Sequence, residues 1–158
     1  MHLFLRDSPQ SKGFTIIELL ICLAIASTLM AIAIPNYITY REKVKITAAI
    51  SDLKYIQNVI KIYQIGKGDL PDTLEQVHMA NFKDPWGNPY QYLRIEEADA
   101  KAKGKMRKDH SLVPVNSDFD LYSMGPDGES KPPFTAKVSQ DDIVRAGDGS
   151  YFGLASGY

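Results

Sequence analysis

Lys12-Gly13-Phe14-Thr15-Ile16-Ile17-Glu18 opens a stretch in which Glu18 is the one charged residue from Phe14 to Ile34. Wound as a helix at about 1.5 Å per residue, that stretch spans roughly 31 Å, the thickness of a bilayer's hydrocarbon core. A secretory signal has a shorter apolar core with its small-residue cleavage site after it. Here the small residue, Gly13, and the cation, Lys12, precede the apolar run. A cut at Gly13 therefore keeps the run in the mature chain. Arg6 and Lys12 on the N-terminal side predict that this end faces the cytoplasm. A carboxylate inside such a segment costs about 2.5–3.5 kcal/mol by insertion scales, less near an end. Phe14, freed by a cut, would offer Glu18 an α-amino partner, in its own chain or in an adjacent copy. A buried pair of that kind sets the axial register between identical subunits.

On the far side of the run, Pro35 kinks a helix more readily than it stops one. Apolar residues then recur at Ile46, Ala49, Ile50, Leu53, Ile56, Ile60 and Tyr63, the spacing of one helical face, while Arg41, Glu42, Lys43, Lys45, Asp52, Lys54 and Lys61 take the other positions. Gly66 and Gly68 end the pattern. The reading is one long helix over 14–65, apolar over 14–34 and amphipathic afterwards.

The remainder, 66–158, reads as a water-soluble domain. Asp72 with Glu75 predicts a capped short helix that faces Leu74 and Val77 inward. Asp84-Pro85-Trp86-Gly87-Asn88-Pro89 is dense turn sequence, in which Trp86 is best read as a core anchor. Tyr90 to Ile95 and Phe119 to Ser123 read as strands. Between them, 96–116 runs acidic then basic, and Lys101, Lys103, Lys105, Arg107 and Lys108 read as a solvated loop. The last forty or so residues are rich in Gly, Pro and Asp, with Ile143-Val144 and Tyr151-Phe152 the apolar pairs that return to the core.

Whole-chain numbers exclude several functions. The 158 residues carry a formal net charge of −1, so no basic field points to nucleic acid. Cys22 is the single cysteine and rules out an intrachain disulfide. His2, His78 and His110 lack the spacing of a zinc or catalytic set, and neither a phosphate-binding glycine loop nor a nucleophile elbow is present. Asp127 with Asp141 or Asp142, among glycines and prolines, is either a set of turn formers or part of an oxygen cage for calcium.

Lys12 to Leu20 resembles the processing site of type IV pilins and of type II secretion pseudopilins. Leu70-Pro71, Asp84 to Tyr90 and Asp120 to Gly128 resemble the G-type major pseudopilin in particular, in order through most of the chain. The resemblance implies that a prepilin peptidase removes residues 1–13, cutting between Gly13 and Phe14 and methylating Phe14. It implies that Glu18 is needed for assembly and that the helix loosens at Pro35. It also implies calcium in a loop over 121–142, held by Asp127, the Met124 carbonyl and Asp142 (or Asp141). Asp148 is a further substitute. Residues 129–140, with Pro132-Pro133, depart from the family's shorter and more glycine-rich loop.

The fold expected is α+β: a long N-terminal helix packed on a small antiparallel sheet, with a loop-rich C-terminal region. The function implied is that of a homopolymer in a periplasmic pseudopilus. It would be anchored in the bacterial inner membrane and built with an assembly platform and minor pseudopilins. A type IV pilin of a surface fibre is the nearer alternative, and a membrane-tethered monomeric calcium- or ligand-binding module the more distant. An electron-conducting row through Phe14, Tyr37, Tyr40 and Tyr55 is outweighed by packing as their role.

Overall fold

The computed structural model describes residues 13–95, 104–110 and 112–158. Helix α1 runs Ile16–Lys67, 52 residues, through Pro35. The chain divides into two compact units, Met1–Tyr40 and Arg41–Tyr158.

In the first unit α1 has an apolar surface on all sides. Ile17, Leu20, Leu23, Ile25, Leu29, Ile32 and Ile34 are all exposed. This part of α1 is long and apolar enough to cross a membrane. Its hydroxyls are satisfied within the helix: Ser27 donates to the Leu23 carbonyl at 2.7 Å and Thr28 to that of Ala24 at 2.8 Å. Back-bonding of this kind satisfies the donors of Ser27 and Thr28 without water and suits an apolar environment.

The second unit is built on one stripe of α1. Ala49, Leu53, Ile56 and Ile60 are wholly buried, spaced by four, three and four residues as a helical face requires. Each large side chain among them contributes about 1.5–3 kcal/mol by leaving water. They pack against Leu70, Leu74, Val77, Tyr90, Phe119, Leu121 and Ile143. The sheet is an antiparallel meander of β1 (Gln91–Arg94), β2 (Phe119–Ser123), β3 (Ile143–Ala146) and β4 (Tyr151–Leu154), in that spatial order. Strand alternation splits the core in two. Phe119, Leu121 and Ile143 face α1, whereas Tyr122, Val144 and Ala146 join Val115, Phe134, Ala155 and Tyr151 in a second cluster.

Two expectations need correction and one is extended. The short helix after Pro71 is a 3-10 turn over Leu74–Val77 whose N-cap is Thr73, with no side-chain cap bond. Asp72 instead receives the Gln76 amide and donates its own N–H to the Gln76 Oε1 at 2.9 Å. The C-terminal region is better ordered than its loop-rich sequence suggests. Its two apolar pairs seed β3 and β4, which are registered Ile143 to Leu154 and Ala146 to Tyr151. The basic stretch is not all solvated either. Lys101 and Lys103 lie outside the described residues, but Arg107 is buried, together with Met106, Val115 and Asn116.

Candidate functional site

Two places carry the residues singled out by sequence: the start of α1 and the loops at one end of the sheet's strands. At the first, Thr15 and Glu18 form a reciprocal cap. The Thr15 N–H and hydroxyl each donate to Glu18 Oε2 at 2.8 Å, and the Glu18 N–H donates to Thr15 Oγ1 at 3.3 Å. This is the capping box that Thr-x-x-Glu announces, a pattern legible in the sequence beside the need for a charged partner. Glu18 thus has a local role, satisfying a helix-end N–H that would otherwise lie bare in an apolar medium. Its second oxygen has no bond in that cap. Gly13 and Phe14 precede the helix, with both residues exposed, and Pro35 lies within it, where Thr39 Oγ1 donates to its carbonyl at 3.1 Å.

At the second place, the turn at Asp84 and the segment after β2 are one structure. Asp84 Oδ1 accepts the N–H groups of Trp86 and Asn88 at 3.0 and 2.8 Å, while its Oδ2 accepts the Ser123 hydroxyl. Asn88 Nδ2 donates to the Gly125 carbonyl at 2.9 Å. Gly125 has φ +64, and a Cβ there would meet the Asp141 carbonyl oxygen at 2.5 Å. The backbone passes so close that only glycine fits. Trp86 packs against the core and donates from Nε1 to Glu42 at 3.1 Å, the anchoring role expected of it.

The prokaryotic N-terminal methylation motif matches residues 8–34. The type II secretion system core protein G of Pseudomonas aeruginosa is 28% identical over 141 residues, covering 76% of this chain and 87% of that protein. Its namesake from Escherichia coli is 24% identical over 164 residues, 90% of this chain and 96% of the relative. Over most of its length the chain is similar to proteins named type II secretion system core protein G. A fimbrial protein of Neisseria meningitidis is 29% identical over 137 residues, 87% of this chain and 80% of its own length. No solved structure matches.

The resemblance implies calcium at the second place, and Asp127 and Asp142 as arranged do not fit it. Asp127 is exposed and spends Oδ1 on the Glu129 N–H at 2.8 Å, as a turn former does. Asp142 is wholly buried, and its Oδ2 accepts Arg107 Nη2 and the Ser130 hydroxyl, each at 2.6 Å. Burial pushes the Asp142 carboxyl up to about 6, opposed by the Ser130 hydroxyl and the Arg107 guanidinium. Asp142 Oδ1 is buried without a partner, one donor where calcium takes about six to eight oxygens. No group of three acidic, His or Cys side chains able to hold a metal exists among the described residues. Asp148 is engaged elsewhere, accepting the Ser117 N–H and hydroxyl at 2.7 and 2.9 Å.

Sequence reasoning missed Arg107, and with it Asp120 and Asn116. Asp120 Oδ2 accepts the Arg107 backbone N–H at 2.6 Å and Oδ1 accepts Asn116 Nδ2 at 2.8 Å. Burial raises the Asp120 pKa in spite of those bonds. No local pattern marks these residues, since the partners lie four to thirty-five residues apart.

Proposed function

We propose that this chain is the structural subunit of a type II secretion pseudopilus, polymerising through α1. The observation that carries the reading is a combination. Similarity to core protein G extends over 90% of the chain in the E. coli comparison, and α1 up to Tyr40 exposes an apolar surface with one charge, Glu18, in its first turn. An apolar surface of that extent needs lipid, partner helices or both in turn. A membrane holds the subunit before assembly and neighbouring helices cover it afterwards.

In this reading a prepilin peptidase cuts between Gly13 and Phe14 and methylates Phe14. The N-terminus lies on the cytoplasmic side and the domain over 66–158 in the periplasm. An inner-membrane platform and minor pseudopilins take part in assembly, and the filament helps move folded cargo through the outer membrane. The chain acts as a building block and performs no chemistry. The free oxygen of Glu18 is the acceptor for the Phe14 amine of an adjacent subunit, while the other oxygen keeps the cap. Pro35 removes one N–H from the helix ladder, and the unpaired carbonyl lets α1 loosen there on packing.

A second reading, a pilin of a surface fibre, draws on the fimbrial relative and on the type IV major pilin protein PilA of Myxococcus xanthus, which is 36% identical over 87 residues but matched over only 38% of its length. One experiment separates the readings. Glu18→Ala, expressed in place of the native gene, should still be processed and reach the membrane, yet yield no filaments and stop export of the secreted cargo. Normal filaments from that variant would overturn the assembly role. Loss of a surface fibre with export intact would transfer the chain to the second reading.

A further inference from the structure

Arg107 sits where the loop after β2 and the segment before β3 meet, and its surroundings are those of a bound cation. Nη1 donates to the Ser130 hydroxyl at 2.6 Å and to the Lys131 carbonyl at 2.9 Å, while Nη2 donates to Asp142 at 2.6 Å. A carboxylate, a hydroxyl and a main-chain carbonyl, all from 130–142, converge on one positive group. The guanidinium plane also lies 4.3 Å from the ring centre of Tyr122 and 5.0 Å from that of Phe134. Aromatic faces suit a delocalised, weakly hydrated cation and offer nothing to a hard ion that demands oxygen. The side chain is 2% exposed.

The backbone fixes the guanidinium in that position. The Arg107 N–H is held by Asp120 of β2, and its carbonyl accepts the Val115 N–H at 3.0 Å. Next to it, Lys108 donates to the Pro132 carbonyl at 3.1 Å and accepts from the Phe134 N–H at 2.9 Å. The excursion between β1 and β2 is therefore laced to the very loop that departs from the family pattern. The excursion supplies the cation, and the loop over 129–142 supplies its ligands.

We infer that Arg107 is a built-in replacement for a loop-closing metal, so that this chain's C-terminal region is held shut by its own guanidinium and folds independently of calcium. A divalent ion added among the same oxygens would have to displace the guanidinium or lie beside it, repelled. The arrangement also removes a dependence on the supply of calcium outside the cytoplasm. A subunit so built is closed before and after assembly alike.

The test uses the full-length chain in detergent, melted with Trp86 fluorescence and near-ultraviolet circular dichroism as probes. In excess chelator and in millimolar calcium the wild type should melt within about 1 °C of the same temperature, whereas an ion binding the folded form alone at a hundredfold its dissociation constant would raise the melt by several degrees. A reproducible calcium-dependent rise beyond about 1 °C overturns the inference. Arg107→Met should melt well below the wild type, and adding Asp142→Asn should restore part of the loss, because the carboxylate is then no longer left charged and unpaired. If Arg107→Met melts like the wild type, the guanidinium is not what closes the loop and the inference fails. Should that variant not fold at all, the comparison of chelator and calcium on the wild type decides alone.

Discussion

Replacing Arg145 by methionine tests the account of how α1 is fastened to the sheet. Arg145 lies on β3, its side chain fully buried, and reaches toward the helix. Its Nε donates to Gln57 of α1, its Nη1 to the Phe119 carbonyl and Asp118 Oδ1, each at 2.8 Å, and its Nη2 to Asp118 Oδ2 at 2.7 Å. The guanidinium also stacks 4.0 Å from the ring centre of Phe119. Methionine keeps much of the stem packing and removes every donor. Removing one partner of a buried ion pair costs about 3–5 kcal/mol. Asp118 keeps 27% exposure and recovers some water, which trims that term. Gln57 Oε1 and the Phe119 carbonyl, both in buried residues, each add about 1 kcal/mol as orphaned acceptors. The sum remains near 3–5 kcal/mol, and a domain of this size converts it to a fall of roughly 10–20 °C in melting temperature.

The assay is the same detergent-solubilised melt, run on Arg145→Met, Asp118→Asn and the pair. The pair should show a coupling of at least about 1 kcal/mol, since the bidentate contact exists only when both partners are present. Arg145→Lys should fall between wild type and Arg145→Met, as an ammonium keeps the charge but not the fork. An Arg145→Met variant within about 1 kcal/mol of wild type would refute the reasoning, because no buried network with these contacts loses its donor so cheaply.

Two further outcomes are expected. A bulky residue in place of Gly13 should leave residues 1–13 attached, read as the mass of the protein in the membrane fraction; a processed product of normal mass would show that Gly13 is not the recognised residue. Gly125→Ala should destabilise the domain by about 2–4 kcal/mol, the sum of a left-handed backbone and a displaced Asp141 carbonyl, and a melt unchanged from wild type would mean that the backbone there relaxes freely.

Periodicity made the long helix legible. A face repeating every three or four residues from Ile46 to Tyr63 needs no partner to be recognised, and α1 ends at Lys67 within two residues of the position read from Gly66 and Gly68. Phe119–Ser123 was equally plain, since its alternation serves both faces of the sheet. β3 and β4 were harder. Their apolar pairs are short because Arg145 and Gly153 interrupt each strand, and pairing across the sheet supplies what local pattern does not. The calcium ligands were read from resemblance and composition. Neither shows that Asp142 is already claimed by a residue thirty-five positions earlier.

Arg107 and Arg145 explain why such partners escape a reading of the sequence. Each was one basic residue whose neighbours in sequence say surface: Arg107 beside Lys105 and Lys108, Arg145 close to Asp141, Asp142 and Asp148. A guanidinium is buried only where several acceptors and an aromatic face already converge. Such convergence is a property of the closed fold. The two arginines lie toward opposite faces of the sheet, one with Gln57 of α1 and one with Ser130 and Lys131 of the covering loop. The apolar cluster on the loop side is small, with Val115, Phe134, Val144, Ala146 and Ala155 as its buried members. Burial of so few side chains does not by itself select one path for a loop with two prolines. The donors of Arg107 do, because the Ser130 hydroxyl, the Lys131 carbonyl and the Asp142 carboxylate meet its nitrogens in one arrangement. In that region, hydrogen-bond geometry specifies the path and apolar burial supplies only part of the stability.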